Sequence, residues 1–416
     1  MDIEVLEPII IKSKGGSTMI AVGIDVSKSK STVAIISSDG EILLKPKDFN
    51  HTISGLAALT DLIHNYSSDV KVAMEATGHY HYPILKILLD QEVYVSLINP
   101  YIMKKYGDTS IRKGKTDKKD AIRIAYYVLE KSYQLEPYTA VNQKYDDLRF
   151  LSRQYNQIIT MKIKSRVQLS NLLDEMMPGI QSLFASNNAS NPSKNIFLDF
   201  IEKYESFETI NKMGEKRFIN SYMKFAEKKH SRNVQAKALA VYELSQNSIM
   251  TRGVDVSTVL ALHQCISVLK QCTEASNKLL FQMQSIAYTL PEYPIVRAMH
   301  GVGDKLAPRL IAEIGDVKRF TSGKALNAYA GNDAPPYQSG QFEGTNRHIS
   351  KRGSASLRKA CYEVMQALKL HKPENDAVYL FMLKKELEGK PKNVAKMAGV
   401  NKFLRIYYAR AMELYQ

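Results

Sequence analysis

Four carboxylates and one serine are the side chains of this sequence whose types and settings could do chemistry. Asp25 closes the apolar run Met19-Ile20-Ala21-Val22-Gly23-Ile24, and Glu75 closes Val70-Lys71-Val72-Ala73-Met74. Asp117 and Asp120 stand three apart in Lys115-Thr116-Asp117-Lys118-Lys119-Asp120-Ala121. They lie one helical turn apart and so share a face. A carboxylate after an apolar run is costly to bury unless it is paired or metal-bound. Phosphoryl transfer with two hard divalent ions needs carboxylates converging at about 2.0–2.1 Å from each metal, with the metals roughly 3.5–4 Å apart. Asp25, Glu75, Asp117 and Asp120 are therefore candidate ligands for Mg2+ or Mn2+. Taken singly, each reads equally well as a strand-end cap or surface charge, and acids in a first helical turn suit the macrodipole. The ordered set of four is what points to metal.

The surroundings are cationic. The 416 residues hold 57 Lys plus Arg against 42 Asp plus Glu, a formal charge of +15, and the sequence pI is about 9.4. Such an excess attracts polyanions at long range, with DNA or RNA first and an anionic membrane surface second. Between Lys104 and Arg123 eight Lys/Arg, Lys115 and Lys118 among them, face three Asp. A basic loop leading to acids suits the approach of a backbone phosphate. No run approaches the roughly 20 apolar residues of a bilayer span, so no membrane partner is expected. Three cysteines without CxxC spacing argue against a disulfide framework or zinc ribbon and fit a reducing cytoplasm. Residues 1–18 read as a flexible tail, not a signal peptide, with Met19 a second candidate start.

The elements that must position these residues follow from periodicity. Strands are expected at Ile20–Asp25, Ser31–Ser37, Glu41–Lys45, Lys71–Glu75 and Val93–Ile98, with Asp39-Gly40 as a hairpin turn. Helices are expected at Ile53–Asn65, at Tyr82–Asp90, and from an N-cap at Thr116 to about Lys131. Residues 19–140 thus form an α/β domain, a mixed sheet flanked by helices. Residues 141–290 are helical. Leu148, Leu151, Tyr155, Ile158, Leu169, Leu172 and Met176 keep heptad spacing, broken by Lys162 and Ser165. Val259, Leu262, Ile266, Leu269, Leu280 and Met283 repeat it, broken by Thr273 and Ser276. The two helices could pair antiparallel, associate between chains, or belong to a globular bundle. A variable insert lies between them, opened by a linker at Ser186–Ser193.

Residues 291–416 close the chain with mostly helical sequence. Tyr293–Met299, then His300-Gly301-Val302-Gly303-Asp304-Lys305, then Leu306–Ile314 match a helix-hairpin-helix. In that pattern Gly301, Gly303 and Lys305 would hold a nucleic-acid phosphate at a helix start. An ordinary helical connection is the other reading. Ser339 sits in a Gly-rich loop, Gly331–Gly344. No acid occurs from Thr345 to Lys359, a stretch that holds Arg347, Lys351, Arg352 and Arg358. By residue pattern alone Ser339 is a turn serine. To attack phosphorus it would need its proton removed and the phosphate charge neutralised. Two closing helices are expected from about Ala355 and about Asn393.

The stretches around Gly23-Ile24-Asp25-Val26-Ser27-Lys28, Met74-Glu75-Ala76-Thr77-Gly78, Lys115–Ala121, and Gly331 through Ser339-Gly340 to Gly353 together resemble the DEDD insertion-sequence transposases. These are also called bridge-RNA-guided recombinases and are related to Piv-type DNA invertases. The similarity runs from about Met19 to the C-terminus and is weakest between roughly Pro178 and Asn247. The resemblance implies an RNase-H/RuvC-like N-terminal domain with Asp25, Glu75, Asp117 and Asp120 as its magnesium tetrad. It implies a helical coiled-coil middle that assembles a homo-oligomer, dimer or tetramer, and a mostly α C-terminal domain with helix-hairpin-helix. Ser339 would form a covalent phosphoserine link to DNA in a composite active site. Arg347, Lys351 and Arg352 would hold phosphates. A structured guide (bridge) RNA would select donor and target DNA in a bacterial or archaeal cytoplasm, at the nucleoid. The departure is Ala334-Pro335-Pro336-Tyr337-Gln338, where members more often carry Pro-Arg ahead of the serine. Here Arg347 or Lys351 would supply that charge. Two other readings stay open: a RuvC-like nuclease that cuts branched DNA with water, and a non-enzymatic nucleic-acid scaffold.

Overall fold

The computed structural model describes residues 19–66, 69–76, 78–107, 116–139, 142–184, 196–229, 234–335, 338–339, 342–343 and 348–416. The expected tail, Lys115, the 186–193 linker and Arg347 lie outside these described residues. The chain divides into two compact units, residues 1–140 and 141–416. Among the described residues no helix is long and apolar enough to cross a membrane.

The N-terminal unit starts with an antiparallel meander, β1 (Ile20–Val26), β2 (Lys30–Ser37) and β3 (Ile42–Asn50). Its second turn uses Gly40 at φ 84°, the left-handed region that glycine enters freely. After α1 (Ile53–His64), β4 (Val70–Glu75) pairs parallel to β1. After α2 (Tyr82–Asp90), β5 (Val95–Ile98) pairs parallel to β4. The sheet order is β3-β2-β1-β4-β5. Three antiparallel strands joined to two parallel ones in this order make an RNase-H/RuvC-like domain. Two more helices follow, α3 (Pro100–Gly107) and the longer α4 (Asp117–Lys131).

Strand alternation decides which helix covers which face. Ile20, Val22, Ile24, Val72 and Met74 pack with Leu56 and Leu59 of α1 and Leu85 and Leu88 of α2. Ala21, Ala73 and Ile98 pack on the other face with Ile124, Ala125 and Val128 of α4. Two expectations shift. Strand β3 continues past Lys45 to Asn50, because it is an edge strand where Pro46 costs no ladder bond. Asn99-Pro100, expected only to end a strand, starts α3. The Asn99 Oδ1 accepts from the Tyr101 amide at 2.9 Å, and Pro at a first helical position loses no bond.

The second unit is helical: α5 (Gln143–Met176), α6 (Ile180–Leu183), α7 (Ile196–Tyr204), α8 (Phe207–Met213), α9 (Glu215–Lys228), α10 (Val234–Asn247) and α11 (Val256–Ala287). Then come α12 (Tyr293–Arg297), α13 (Leu306–Ile314), α14 (Gly323–Tyr329), a hairpin of β6 (Gln338–Ser339) and β7 (Phe342–Glu343), α15 (Ala355–His371), α16 (Ala377–Leu387) and α17 (Lys392–Met412). Three helices close the chain, not two. The expected helix Tyr293–Met299 stops at Arg297.

Helices α5 and α11 pair antiparallel within the chain. Tyr145 and Leu148 at the start of α5 share a core with Met283 and Ala287 at the end of α11. Leu169 and Leu173 at the other end share a second core with Leu262, Ile266 and Leu269. The second core holds the insert's aromatics, Phe200, Tyr204, Phe218 and Tyr222. Two of the polar breaks in the seam are satisfied within their own helix. Thr273 donates to the Leu269 carbonyl at 2.8 Å and Ser276 to the Thr273 carbonyl at 2.9 Å. The helical middle is not a separate body, since α5 and α11 each contribute to the C-terminal core.

Candidate active site

Asp25 and Glu75 come together through strand register. β1 and β4 run parallel with a constant offset, through Gly23↔Ala73 and Ile24↔Met74. The next step sets Asp25 beside Glu75. Both belong to the alternation set of Gly23 and Ala73, so both side chains leave the sheet on the α4 face. Each is half-buried and each has an interaction partner.

Helix α4 reaches that edge because β1 carries a glycine. A Cβ at Gly23 would run into the Ala121 carbonyl oxygen and the Ala125 amide, so the helix backbone rests directly on the strand. Thr116 caps the helix by accepting from the Lys119 amide at 3.3 Å. That fixes Asp117 and Asp120 in the first turn, on the side where β1 ends. Asp120 is largely covered, at 16% side-chain exposure, and bonds Arg123 at 2.8 Å. Asp117 is exposed; the Lys30 ammonium is raised first by its hydrogen bond to Asp48 and least by the Asp117 charge.

A fifth acid went unnoticed in the sequence. Thr32 faces Asp25 across β2, and Asp48 faces Thr32 across β3. Glu75, Asp25, Thr32 and Asp48 thus form one row on the α4 face. The Thr32 hydroxyl donates to Asp48 at 2.7 Å. Hydrogen bonds from Lys30 and then Thr32 hold the Asp48 carboxyl below its usual range. The available signal was the polar Thr32 in an otherwise apolar strand, facing the extended part of β3.

All four expected ligands are carboxylates, the hard oxygen donors that suit Mg2+ or Mn2+. Among the described residues no group of three or more His, Cys, Asp or Glu side chains is drawn in tightly enough to hold an ion. The structure therefore brings the four acids to one sheet edge without closing them into a ligand cage. The donor types suit a divalent cation, while their placement here does not enclose one, with Asp120 bonded to Arg123.

The serine region is built differently. Ser339 pairs with Phe342 in the β6–β7 hairpin, so it lies on an extended tip instead of an irregular loop. Gly340 lies outside the described residues. The neck below the tip is tightly tied. The Ser350 amide donates to the Asp333 carbonyl at 2.7 Å, Lys351 to Gly331 at 3.0 Å, and Ser354 to Tyr329 at 2.7 Å. Arg358 donates to the Ala330 carbonyl at 2.7 Å and the Gly353 carbonyl at 3.1 Å. Gly331 stands at φ 64°, and a Cβ there would lie 2.5 Å from the Gly353 amide. Lys351 and Arg352 are exposed at this neck. No periodicity in the chain links Arg358 and Gly353 to this neck.

The Gly301–Gly303 turn joins α12 and α13, with Gly301 at φ 78°. A Cβ on Gly301 would lie 3.0 Å from the Val364 carbonyl, so the turn rests on α15. Gly303 and Lys305 are exposed. Lys118, on the exposed first turn of α4, helps lower the Asp48 carboxyl.

Two sequence models match the chain. The IS110-type DEDD transposase model covers residues 22–178, and the transposase model of the IS116/IS110/IS902 family covers residues 293–380. The chain belongs to the IS110-type DEDD transposases. As a member of that family it is a DNA transposase/recombinase enzyme. It is similar to the IS117 mini-circle protein of Streptomyces coelicolor, 23% identical over 346 residues, with 80% of this chain and 81% of that protein covered. It is similar to the pilin gene-inverting protein of Moraxella bovis, 24% identical over 392 residues, with 93% and 94% covered. Among solved structures, Thermus RuvC with a Holliday-junction substrate overlays 29% of this chain and 99% of its own. The identity is 14% and the TM-score 0.22, too low to carry an argument. In this IS110-type transposase, the RNase-H-like assignment stands on the strand order and directions.

Proposed function

We propose that this IS110-type transposase cuts and rejoins DNA using divalent metal at Asp25, Glu75, Asp117 and Asp120 and a nucleophilic Ser339. The observation that carries this reading is the acid edge. Parallel register sets Asp25 beside Glu75 on the α4 face, and the capped first turn of α4 presents Asp117 and Asp120 there. Magnesium, or manganese in its place, would neutralise charge on the phosphate oxygens. The carboxylates hold the ion and orient the phosphodiester.

Ser339 attacks phosphorus through its hydroxyl oxygen. An O–P bond forms as the bond to one sugar oxygen breaks. The serine proton passes to a carboxylate of the edge, and the departing sugar oxygen takes a proton back. Rejoining reverses these steps on a second strand. The neighbouring serines have other work, which supports Ser339. Ser350 donates to Asp333, and Ser354 caps α15 by accepting from the Leu357 amide at 3.1 Å. Lys351 and Arg352 at the neck, with Arg347, hold phosphates. Lys115 and Lys118 lead the DNA toward the acids, and the Gly301–Lys305 turn acts as a helix-hairpin-helix contact.

A structured guide RNA is the second polyanion in this reading and selects donor and target DNA by pairing. The protein would then bind backbone and shape more than sequence. The working form is a homo-oligomer whose acid edge and serine tip come from different subunits. Incubating the protein with DNA, guide RNA and Mg2+ and resolving products on denaturing gels tests the chemistry. A protein–DNA adduct is expected, lost in Ser339→Ala and reduced at least 100-fold in Asp25→Asn. Free ends in place of an adduct, with Ser339→Ala cutting normally, would favour the RuvC-like nuclease.

A further inference from the structure

The turn between α12 and α13 opens onto a cavity of about 1030 Å³ within the second unit. An isolated phosphate fills a fraction of that space, whereas pockets of several hundred Å³ suit whole small organic groups. One side offers what a phosphate needs. The amides of Gly303, Asp304 and Lys305 precede the first full turn of α13 and have no carbonyl of their own helix to bond. Nothing lies within 4 Å of a Cβ position at Gly303, so an anion can reach the backbone there. The Lys305 ammonium is exposed beside it. Burial first, and then Lys305 and Arg166 as like charges, lower the Lys162 ammonium of α5; the Asp304 carboxylate on this side is engaged by Arg297 at 2.5 Å, which leaves Lys305 to meet an incoming anion.

The other side is suited to a base. Leu280, Leu306, Ala367 and the Tyr155 ring line it. Arg309 is 94% buried, with two nitrogens on the Glu363 carboxylate at 2.5 and 3.1 Å. Its guanidinium lies 5.7 Å from the Tyr155 ring centroid. Its Nε–H has no partner, an unusual state for a buried donor. An aromatic ring is a platform on which a nucleobase stacks, and a nearby guanidinium adds cation–π attraction.

We propose that this cavity holds one nucleotide drawn out of a strand, its phosphate at the 303–305 amides and its base against Tyr155. The inference rests on the reading of the chain as a nucleic-acid enzyme. It separates that reading's backbone contact from a second, base-sized site. A paired base cannot reach such a cavity without leaving its stack. The site therefore selects bulged, mismatched or single-stranded positions, in DNA or in RNA.

The test is equilibrium binding of the full-length protein in EDTA, where no strand is cut. The probes are fluorescein-labelled hairpins, fully paired or with one unpaired nucleotide, in DNA and in RNA versions. Base stacking on an aromatic side chain contributes about 1–3 kcal/mol, so wild type is expected to prefer the unpaired probe at least fivefold. Tyr155→Leu removes the stack, and Ala367→Trp fills the space without removing any group. Each is expected to cut the preference below twofold while leaving affinity for the fully paired probe within twofold. A preference confined to the DNA or to the RNA pair supports the site and names its source. No preference in wild type, or a preference that survives both substitutions, overturns it. Ser339→Ala is expected to keep the preference, so loss of the adduct and loss of this site are read separately.

Discussion

The acid edge and the serine tip solve the same positioning problem by opposite means. At the edge, each carboxylate is held by regular structure: two parallel strands in fixed register and a helix seated on a glycine. At the tip, Ser339 stands on a two-residue strand, above a neck tied between residues up to 28 positions apart. The first arrangement is fixed wherever the sheet is intact. The second rests on the hydrogen bonds at its neck. Under the proposed chemistry, a variant at either place should therefore fail in a different way.

The sharpest way to break the comparison is Gly23→Val. A branched side chain would force α4 off β1, at a cost of roughly 3 kcal/mol or more for overpacking against backbone. Thermal unfolding should fall for the N-terminal unit while the second unit melts unchanged. At the neck, Gly331→Ala pairs a left-handed φ with a clash and should cost about 2 kcal/mol. Arg358→Met, which leaves two carbonyls without their donor, should cost about 1–3 kcal/mol. Both neck variants should lower adduct formation more than they lower binding of DNA to the whole protein. If they melt early yet form adduct at the wild-type rate, the neck does not position Ser339.

A third test concerns the base of the second unit. Glu292 is 3% exposed, and burial raises its carboxyl pKa while the Tyr145 hydroxyl opposes this. Folding therefore favours the protonated form. The stabilising contribution is present below the unfolded pKa of an ordinary Glu and is lost as pH rises through the folded value. Glu292→Gln should flatten that loss in thermal unfolding measured from acid to neutral pH. The change stays below the about 1.4 kcal/mol per pH unit that one proton can supply. The smallest effect is expected from Thr116→Ala, which removes the cap of α4 at about 1 kcal/mol and should reduce metal-dependent activity more than stability.

Much of the edge was legible because its signals are local. Apolar runs ending in Asp25 and Glu75, and a Thr116 cap before a basic turn, each fix an element without help from afar. Asp48 escaped because it lies beyond Lys45, where the expected strand stopped, and only the sheet shows β3 to be an edge strand that runs on through Pro46 to Asn50. Asn99-Pro100 misled in the same way, since a strand stop and a helix start use the same two residues. The serine neck was illegible because its ties, Gly331 to Gly353 and Arg358 to Ala330, link positions whose proximity no periodicity reports. The antiparallel seam was open between several pairings until Tyr145 met Ala287 in one core.

That seam has a further consequence. At about 1.5 Å per residue, the 34 residues of α5 make a strut of roughly 50 Å. The chain leaves α5 at Met176 and returns to α11 at Val256, on the same end of the pair. The described helices between them lay Phe200, Tyr204, Phe218 and Tyr222 over Leu169, Leu173, Leu262 and Ile266. That end of the strut is therefore kept dry by the segment it carries, and trimming the segment would strip the strut's apolar stripe of its cover.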